Sequence, residues 1–255
     1  MISNLAYVHP DAQIGKNVVI EPFAYVAGDV VIGDDTYLAP NAVILDGARI
    51  GKGCKIHSGA VISGTPQDLK FKGEKTLAVL GDNCTVREAA TINRGTAAKG
   101  QTILGNNCLV MAYAHVAHDC EIGDNVILVN NVSIAGEVVI GNWVILGGHS
   151  AIHQFVRIGD HAMTAGGALV GKDIPPYVMA GHLVSDYKGI NSIGLKRRGF
   201  TSDDINTIQS IYRILMSEGL NTTQACEEVQ REIPDCKYKT EILEFVVSSK
   251  RGIMR

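Results

Sequence analysis

The chain has 255 residues, with 23 lysines and arginines against 26 aspartates and glutamates, so its formal net charge is −3 at pH 7. This balance gives no general attraction to nucleic acid or to an anionic membrane surface. The N-terminal residues lack the basic segment and continuous apolar run of a secretory signal, and no stretch reaches the roughly 18 apolar residues of a membrane span. We therefore expect a cytoplasmic protein with no membrane span and no nucleic-acid partner.

An aliphatic residue recurs at every sixth position from the start of the chain, and a small or β-branched residue precedes each one by two. The aliphatic positions are Val8, Ile14, Ile20, Val26, Ile32, Leu38, Ile44, Ile50, Ile56 and Ile62. A period of six fits neither a helix nor an ordinary strand face. It is typical of a hexapeptide β-helix, in which each six-residue rung forms one side of a prism and three rungs close a coil. Gly15, Gly33 and Gly51 follow aliphatic positions, and we expect corners there that need a positive φ or leave no room for a Cβ.

Two interruptions break the period, at about residues 63–79 and 93–103. They contain proline, glycine and charged residues, which cannot line a thin prism. We therefore interpret both interruptions as loops that project from the solenoid. Such loops often lie on the binding face of a solenoid; the alternative is that they are tolerated surface insertions without a function.

The period then runs from Leu104 to Val170 and stops before Pro175 and Pro176, which lack the backbone donor that a rung needs. Cysteines occupy the small position of several rungs, which predicts buried structural thiols rather than disulfides or a zinc site. These cysteines are Cys54, Cys84, Cys108 and Cys120.

From about Ser192 the apolar spacing becomes helical, and Thr201 to Asp204 form a capping signal for the first long helix. Gly219 is predicted to end that helix, and Pro234 to stop the next. The expected architecture is mainly β: a parallel β-helix over residues 1–190, followed by a helical domain over residues 191–255.

The repeat also aligns polar residues that it does not require. With 18 residues a coil, Gly136 falls directly above His118, and Gln154 above Gly136. A neutral imidazole can accept a proton near pH 7, and a bare backbone N–H can stabilise an oxyanion. This column predicts a catalytic site; the alternative is that His115 and His118 are solvated surface residues.

A zinc site between subunits is a second alternative, because four histidines lie in this region. His149 and His153 span a rung, however, and their imidazoles are expected to point in different directions. We predict neither a metal nor a cofactor.

Several motifs resemble the UDP-N-acetylglucosamine O-acyltransferases that start lipid A synthesis in Gram-negative bacteria. The hexads alone are shared by many acyltransferases, whereas the combination of the non-repeat motifs is specific. These motifs are Gln67-Asp68-Leu69-Lys70, Thr91-Ile92-Asn93-Arg94-Gly95-Thr96, Ala114-His115-Val116-Ala117-His118-Asp119-Cys120, His153-Gln154-Phe155, Asp173-Ile174-Pro175-Pro176-Tyr177, Gly194-Leu195-Lys196-Arg197-Arg198-Gly199-Phe200 and Arg251-Gly252-Ile253-Met254-Arg255.

The resemblance implies a left-handed β-helix that assembles as a homotrimer with active sites between subunits. It implies transfer of an (R)-3-hydroxyacyl group from acyl carrier protein to the 3-hydroxyl of UDP-N-acetylglucosamine. His118 would be the general base, the Gly136 N–H would hold the thioester oxyanion, and Asp119 would orient or charge-balance His118.

Further roles are implied by the same resemblance. Contacts to the nucleotide sugar would come from Gln67, Asp68, His115, His153 and Gln154. From a neighbouring subunit, Asn191 and Arg197 would reach the nucleotide. Lys70 would lie near the pantetheine arm, and Met163 and Gly166 would lie on the acyl groove, where Gly166 favours a longer chain.

The chain departs from the family pattern at Asn93 and Glu137, where the family often has histidine, and at Ile193, where it often has glutamate. None of these positions touches the His118 column, so the expected reaction class is unchanged. The details of nucleotide affinity cannot be carried over from the family to this chain.

Other functions are compatible with the hexads. The related N-acyltransferase of the same pathway carries an extra amino-terminal domain, whereas the hexads here begin by Val8. A coenzyme A-dependent acetyltransferase would not need the helical tail. A structural or ice-binding β-helix would need neither loops nor a polar column, and a zinc hydratase would need three converging imidazoles.

Overall fold

The computed structural model describes residues 1–181 and 186–254. In these residues the strands form three sheets that wind into a left-handed β-helix, as the period and the resemblance predicted. The chain passes from the first sheet to the second, then to the third, and back to the first.

The first sheet contains nine described strands, all parallel: β1 Tyr7–Val8, β4 Tyr25–Val26, β7 Val43–Ile44, β10 Val61–Gly64, β13 Thr91–Asn93, β16 His115–Val116, β19 Ser133–Ile134, β22 Ala151–Ile152 and β25 Leu169–Val170.

The second sheet contains eight described strands: β2 Gln13–Ile14, β5 Val31–Ile32, β8 Ala48–Ile50, β11 Leu77–Leu80, β14 Gln101–Leu104, β17 Glu121–Ile122, β20 Val139–Ile140 and β23 Arg157–Ile158.

The third sheet contains ten described strands, of which only the last pairs antiparallel. They are β3 Val19–Ile20, β6 Tyr37–Leu38, β9 Lys55–Ile56, β12 Thr85–Val86, β15 Leu109–Val110, β18 Ile127–Leu128, β21 Ile145–Leu146, β24 Met163–Thr164, β26 Val178–Ala180 and β27 Tyr187–Ile190.

Each aliphatic position of the repeat points into the prism and stacks on its counterpart in the next coil. Val116 pairs with Ile134, and Ile134 with Ile152, and all three are buried. Burial of such a side chain stabilises the fold by about 1.5–3 kcal/mol, but only when the neighbouring coil covers it. The predicted cysteines are free and buried in the same core: Cys54, Cys84, Cys108 and Cys120.

The corners use two different residues for two different tasks. Gly33 allows close approach, because a Cβ there would lie 2.6 Å from the carbonyl carbon of Gly51 in the next coil. The positive φ falls two residues later, at Asp35, and likewise at Asn17 after Gly15. The close-approach explanation for these glycines is therefore confirmed, and the positive-φ explanation is wrong.

Four helices follow the prism in the described part of the chain: α1 Ser192–Arg197, α2 Ser202–Leu215, α3 Thr222–Glu232 and α4 Lys237–Ser248. Thr201 and Asp204 form the expected capping box at the start of α2. The predicted end of α2 at Gly219 is wrong, because the helix already ends at Leu215, with Met216 as its C-cap. None of the helices in residues 1–181 and 186–254 is long and apolar enough to cross a membrane.

An aromatic ladder joins the prism to the helices. Trp143, His161 and Tyr177 occupy positive-φ corner positions in successive coils, and their rings stack. Phe200 meets His161 and Tyr177 edge-on, and Arg198 lies over the Trp143 ring while donating to its carbonyl at 2.8 Å. These contacts seat the start of the helical region on one corner of the prism.

Candidate active site

One edge of the prism, where the first sheet passes into the second, carries most of the predicted site; we call it the first edge. Both loop insertions leave the prism there, between β10 and β11 and between β13 and β14. His118 lies on the same edge between β16 and β17, Gly136 between β19 and β20, and Gln154 between β22 and β23. The 18-residue stack therefore places the predicted column and both loops together.

His118 forms a dyad with the residue that follows it. Its Nδ1 lies 2.8 Å from Oδ2 of Asp119. His118 is 7% exposed and Asp119 is fully buried at 0%, so the pair is shielded from bulk water. An ionised carboxylate accepts a proton but cannot donate one, so Nδ1 carries the hydrogen and Nε2 of the neutral ring is left as an acceptor.

The Asp119 carboxylate is held by the second loop as well as by His118. Oδ1 accepts the Thr96 amide at 2.9 Å and Oδ2 accepts the Thr96 hydroxyl at 2.6 Å, while the Lys99 amide lies 3.3 Å from Oδ1. Burial alone would raise the pKa of Asp119, but the hydrogen bonds from Thr96 and His118 outweigh it and hold the pKa below its ordinary value. Asp119 is therefore ionised at neutral pH.

Gly136 lies against the ring of His118. A Cβ at this position would come within 2.6 Å of both Cε1 and Nε2, so only glycine leaves the imidazole where it is. The Gly136 amide donates to none of the described residues, whereas its carbonyl accepts the Phe155 amide at 3.3 Å. A free N–H beside the acceptor nitrogen of a histidine is the arrangement that stabilises a developing oxyanion.

Two further histidines lie on the same side. His115, in β16, shares a hydrogen bond with the Thr91 hydroxyl at 2.7 Å. Burial lowers the pKa of His115, and the neighbouring His118 lowers it further, so its ring is neutral at neutral pH. His153 is exposed and lies 3.4 Å from the Arg251 guanidinium, which brings the C-terminal tail to the first edge.

The first loop projects beside this edge. Gln67 and Lys70 are exposed, and Asp68 accepts the Lys70 amide at 2.9 Å, which turns the loop tightly. Asn93 anchors the base of the loop by donating to the Thr65 carbonyl at 3.1 Å. Asparagine thus has a structural task at the position where the family often carries histidine.

Four of the predicted residues lie elsewhere. Met163 is in β24 of the third sheet, and Gly166 lies at the corner between the third and first sheets. Asn191 is buried as the N-cap of α1, with Arg197 at the end of the same helix. Met163, Asn191 and Arg197 line one cavity of about 330 Å³ over the third sheet.

The third sheet faces away from the first edge, because each edge of a three-sided prism is opposite the remaining side. One chain therefore brings together the His118 column, His115, His153 and the first loop. It does not bring them to Met163, Gly166, Asn191 and Arg197.

Some residues of the site were not predicted from the sequence. Thr96 and Thr91 appeared only as part of a motif, yet they bond Asp119 and His115. Arg251 also carried no role, although it reaches His153. Thr96 and Arg251 lie outside the hexads, where a six-residue period marks no partner. Thr91 lies in β13 and pairs in register with His115, but the second loop lengthens their separation to 24 residues, so a count of 18 does not find the pair.

The fold and this site define a hexapeptide-repeat transferase. The family model for bacterial transferase hexapeptides matches residues 29–64 and 101–136. The second domain of the UDP-N-acetylglucosamine O-acyltransferases matches residues 173–254.

Relatives match over almost the whole chain. Two curated proteins named acyl-[acyl-carrier-protein]–UDP-N-acetylglucosamine O-acyltransferase are similar to it. The protein of Thermodesulfovibrio yellowstonii is 41% identical over 100% of this chain and 99% of its own length. The protein of Chlorobaculum parvum is 52% identical over 97% of this chain and 94% of its own length. The crystal structure of the UDP-N-acetylglucosamine acyltransferase of Bacteroides fragilis is 50% identical, with a TM-score of 0.98 over 100% of both chains. The chain belongs to the UDP-N-acetylglucosamine O-acyltransferase family.

Proposed function

We propose that the chain transfers an (R)-3-hydroxyacyl group from acyl carrier protein to the 3-hydroxyl of UDP-N-acetylglucosamine, the first step of lipid A synthesis. The observation that carries the proposal is the pairing of the His118 ring with the free amide of Gly136 at one edge of the prism. Family membership supplies the donor and the acceptor, and this pairing supplies the chemistry.

His118 acts as the general base. Asp119 holds the hydrogen on Nδ1, so Nε2 accepts the proton of the sugar 3-hydroxyl as its oxygen attacks the thioester carbonyl. The carbonyl oxygen becomes an oxyanion and accepts the Gly136 N–H. The buried carboxylate of Asp119 balances the positive charge that His118 gains.

Collapse of the tetrahedral intermediate re-forms the carbonyl and breaks the carbon–sulfur bond. The leaving thiolate of the carrier takes the proton from Nε2, which returns His118 to its neutral form. The products are a sugar ester and the free thiol of the carrier, with no net proton released.

Substrate contacts are proposed for the residues around the column. In this proposal, the sugar nucleotide beside His118 would be contacted by Gln67, Asp68, His115, His153 and Gln154. Lys70, on the exposed tip of the first loop, would meet the pantetheine arm. Both proposed substrates are water-soluble, which is consistent with an enzyme that acts in the cytoplasm.

The chain works as a homotrimer in this proposal. Asn191 and Arg197 lie over the third sheet, across the prism from His118, so a complete site needs the third-sheet side of a neighbouring copy beside the first edge. Met163 and Gly166 would line the acyl groove at that interface. Residues 1–190 would then supply the acyltransferase prism and residues 191–255 the helical domain that carries the nucleotide contacts.

A transfer assay tests the function and separates it from the related N-acyltransferase. The purified chain is incubated with 3-hydroxyacyl carrier protein and UDP-N-acetylglucosamine, and the product is identified by mass and by treatment with mild alkali. The expected product is an ester that alkali cleaves. No transfer to this acceptor, or an alkali-stable amide formed only with UDP-3-O-acylglucosamine as the acceptor, would contradict the proposal.

A further inference from the structure

The contact between the second loop and Asp119 assigns a task to a residue outside the prism. We propose that Thr96 is a positioning residue for the proposed acyl transfer: it clamps the Asp119 carboxylate so that His118 presents Nε2 to the substrate beside Gly136. This inference rests on the function proposed above.

The clamp uses both donors of one residue on both oxygens of one carboxylate. The Thr96 amide bonds Oδ1 at 2.9 Å and its hydroxyl bonds Oδ2 at 2.6 Å. Oδ2 is also the oxygen that faces Nδ1 of His118 at 2.8 Å. Because both oxygens are engaged, the carboxylate cannot rotate about its terminal bond without breaking a hydrogen bond to a charged group in a buried site.

The backbone on the other side of Asp119 is fixed as well. The Asp119 amide donates to the Thr102 hydroxyl at 2.8 Å, and the residue occupies the positive-φ position of its corner. Asp119 is thus held by its backbone through the prism and by its carboxylate through the loop. The ring of His118 takes its direction from these two constraints and from contact with Gly136.

The conformation of the second loop places Thr96 beside the Asp119 carboxylate. A Cβ at Gly95 would collide with the backbone of Gln101, so glycine allows the loop to close tightly. The Gly100 amide donates to the Thr96 carbonyl at 2.7 Å, which closes a turn around Thr96. Glu74 of the first loop accepts the Ala97 amide at 3.0 Å, so the loop expected to contact substrate is tied to the residue next to the clamp.

The Thr96→Val variant removes the hydroxyl and keeps the shape of the side chain. We expect kcat to fall about 10- to 100-fold, as loss of a hydrogen bond to a charged group does, while KM for both substrates changes less than about threefold. The pH profile supplies a second readout. Thr96 helps to hold the pKa of Asp119 low, so Asp119 ionises at a higher pH in the variant. The acid limb of the plot of kcat against pH therefore shifts to higher pH. Thr96→Ser keeps the hydroxyl and should restore most of the rate.

Thr36→Val is the matched control. Thr36 is also buried, and its hydroxyl donates to the Gly51 carbonyl at 3.0 Å in a coil remote from His118. The control should keep the wild-type rate and pH profile. If wild type transfers acyl chains and Thr96→Val matches Thr36→Val in kcat and pH profile, the positioning role is overturned. If Thr96→Ser fails to recover the rate, it is also overturned. Absence of transfer by wild type would instead overturn the proposed function.

Discussion

Replacing Gly136 by alanine tests the contact on which the proposed chemistry depends. The new methyl group would lie 2.6 Å from Cε1 and Nε2 of His118, whereas ordinary contacts are 3.4–4 Å, so the ring must move by about 1 Å. A displacement of that size in a catalytic group costs about 100-fold in rate. We therefore expect kcat to fall about 100-fold in the acyl-transfer assay, with the fold retained.

Gly28→Ala is the matched control for this substitution. Gly28 occupies the same corner position in an early coil, and its added Cβ would lie 3.1 Å from Nδ1 of His9. The His9 side chain is 36% exposed and can move aside. Circular dichroism should show both variants folded, with the control within about twofold of the wild-type rate. A Gly136→Ala variant with more than half of the wild-type kcat would refute the close-contact argument.

Two further predictions concern the acyl groove and stability. Gly166 is exposed, and an added Cβ would meet only the Gly148 carbonyl oxygen at 3.3 Å, so Gly166→Met should fold and should slow transfer of chains longer than about ten carbons. Equal rates with short and long carriers in this variant would contradict a groove at Gly166. Burial raises the pKa of Glu241 above its ordinary value, and the hydrogen bond from the Tyr177 hydroxyl opposes this shift only in part. Because the folded state holds the proton more tightly than the unfolded state, the protein loses stability as the pH rises from the ordinary pKa of a glutamate through the raised pKa of Glu241. Glu241→Gln keeps an acceptor for Tyr177 and should raise Tm at about pH 8 but not at about pH 4; a gain independent of pH would contradict this assignment.

The six-residue period was sufficient to predict the prism and the stacking of its coils. Because each coil repeats the same geometry, counting 18 residues from His118 finds Gly136 without any knowledge of side-chain conformation. The same counting finds Gln154. Periodicity is a local property of the sequence, and in a solenoid local order fixes which residues become neighbours.

The loops escaped this reasoning because they do not share the period. Thr96 reaches Asp119 only because Gly95 closes a turn that no repeat dictates. The corners were also misread in part: the tight position and the positive-φ position are two residues apart, at Gly33 and Asp35. Asparagine and aspartate tolerate positive φ, which explains why glycine is needed only for the close approach.

The sequence alone also did not predict that the site residues would lie on two opposite sides of the prism. A chain read alone gives no partner, so the places of Asn191 and Arg197 relative to His118 could come only from resemblance. The structure supplies the physical reason for a neighbour, since the third sheet and the first edge of one prism face opposite directions.

The most direct measurement is kcat for acyl transfer to UDP-N-acetylglucosamine by His118→Ala beside the wild-type chain. His57→Ala serves as the control, because this partly exposed histidine lies in an earlier coil and pairs with Glu88. General-base catalysis supplies about 10²–10⁴-fold in rate, so we predict a loss of more than about 100-fold in His118→Ala and a wild-type rate in the control. An undiminished rate in His118→Ala would contradict the assignment of His118 as the base.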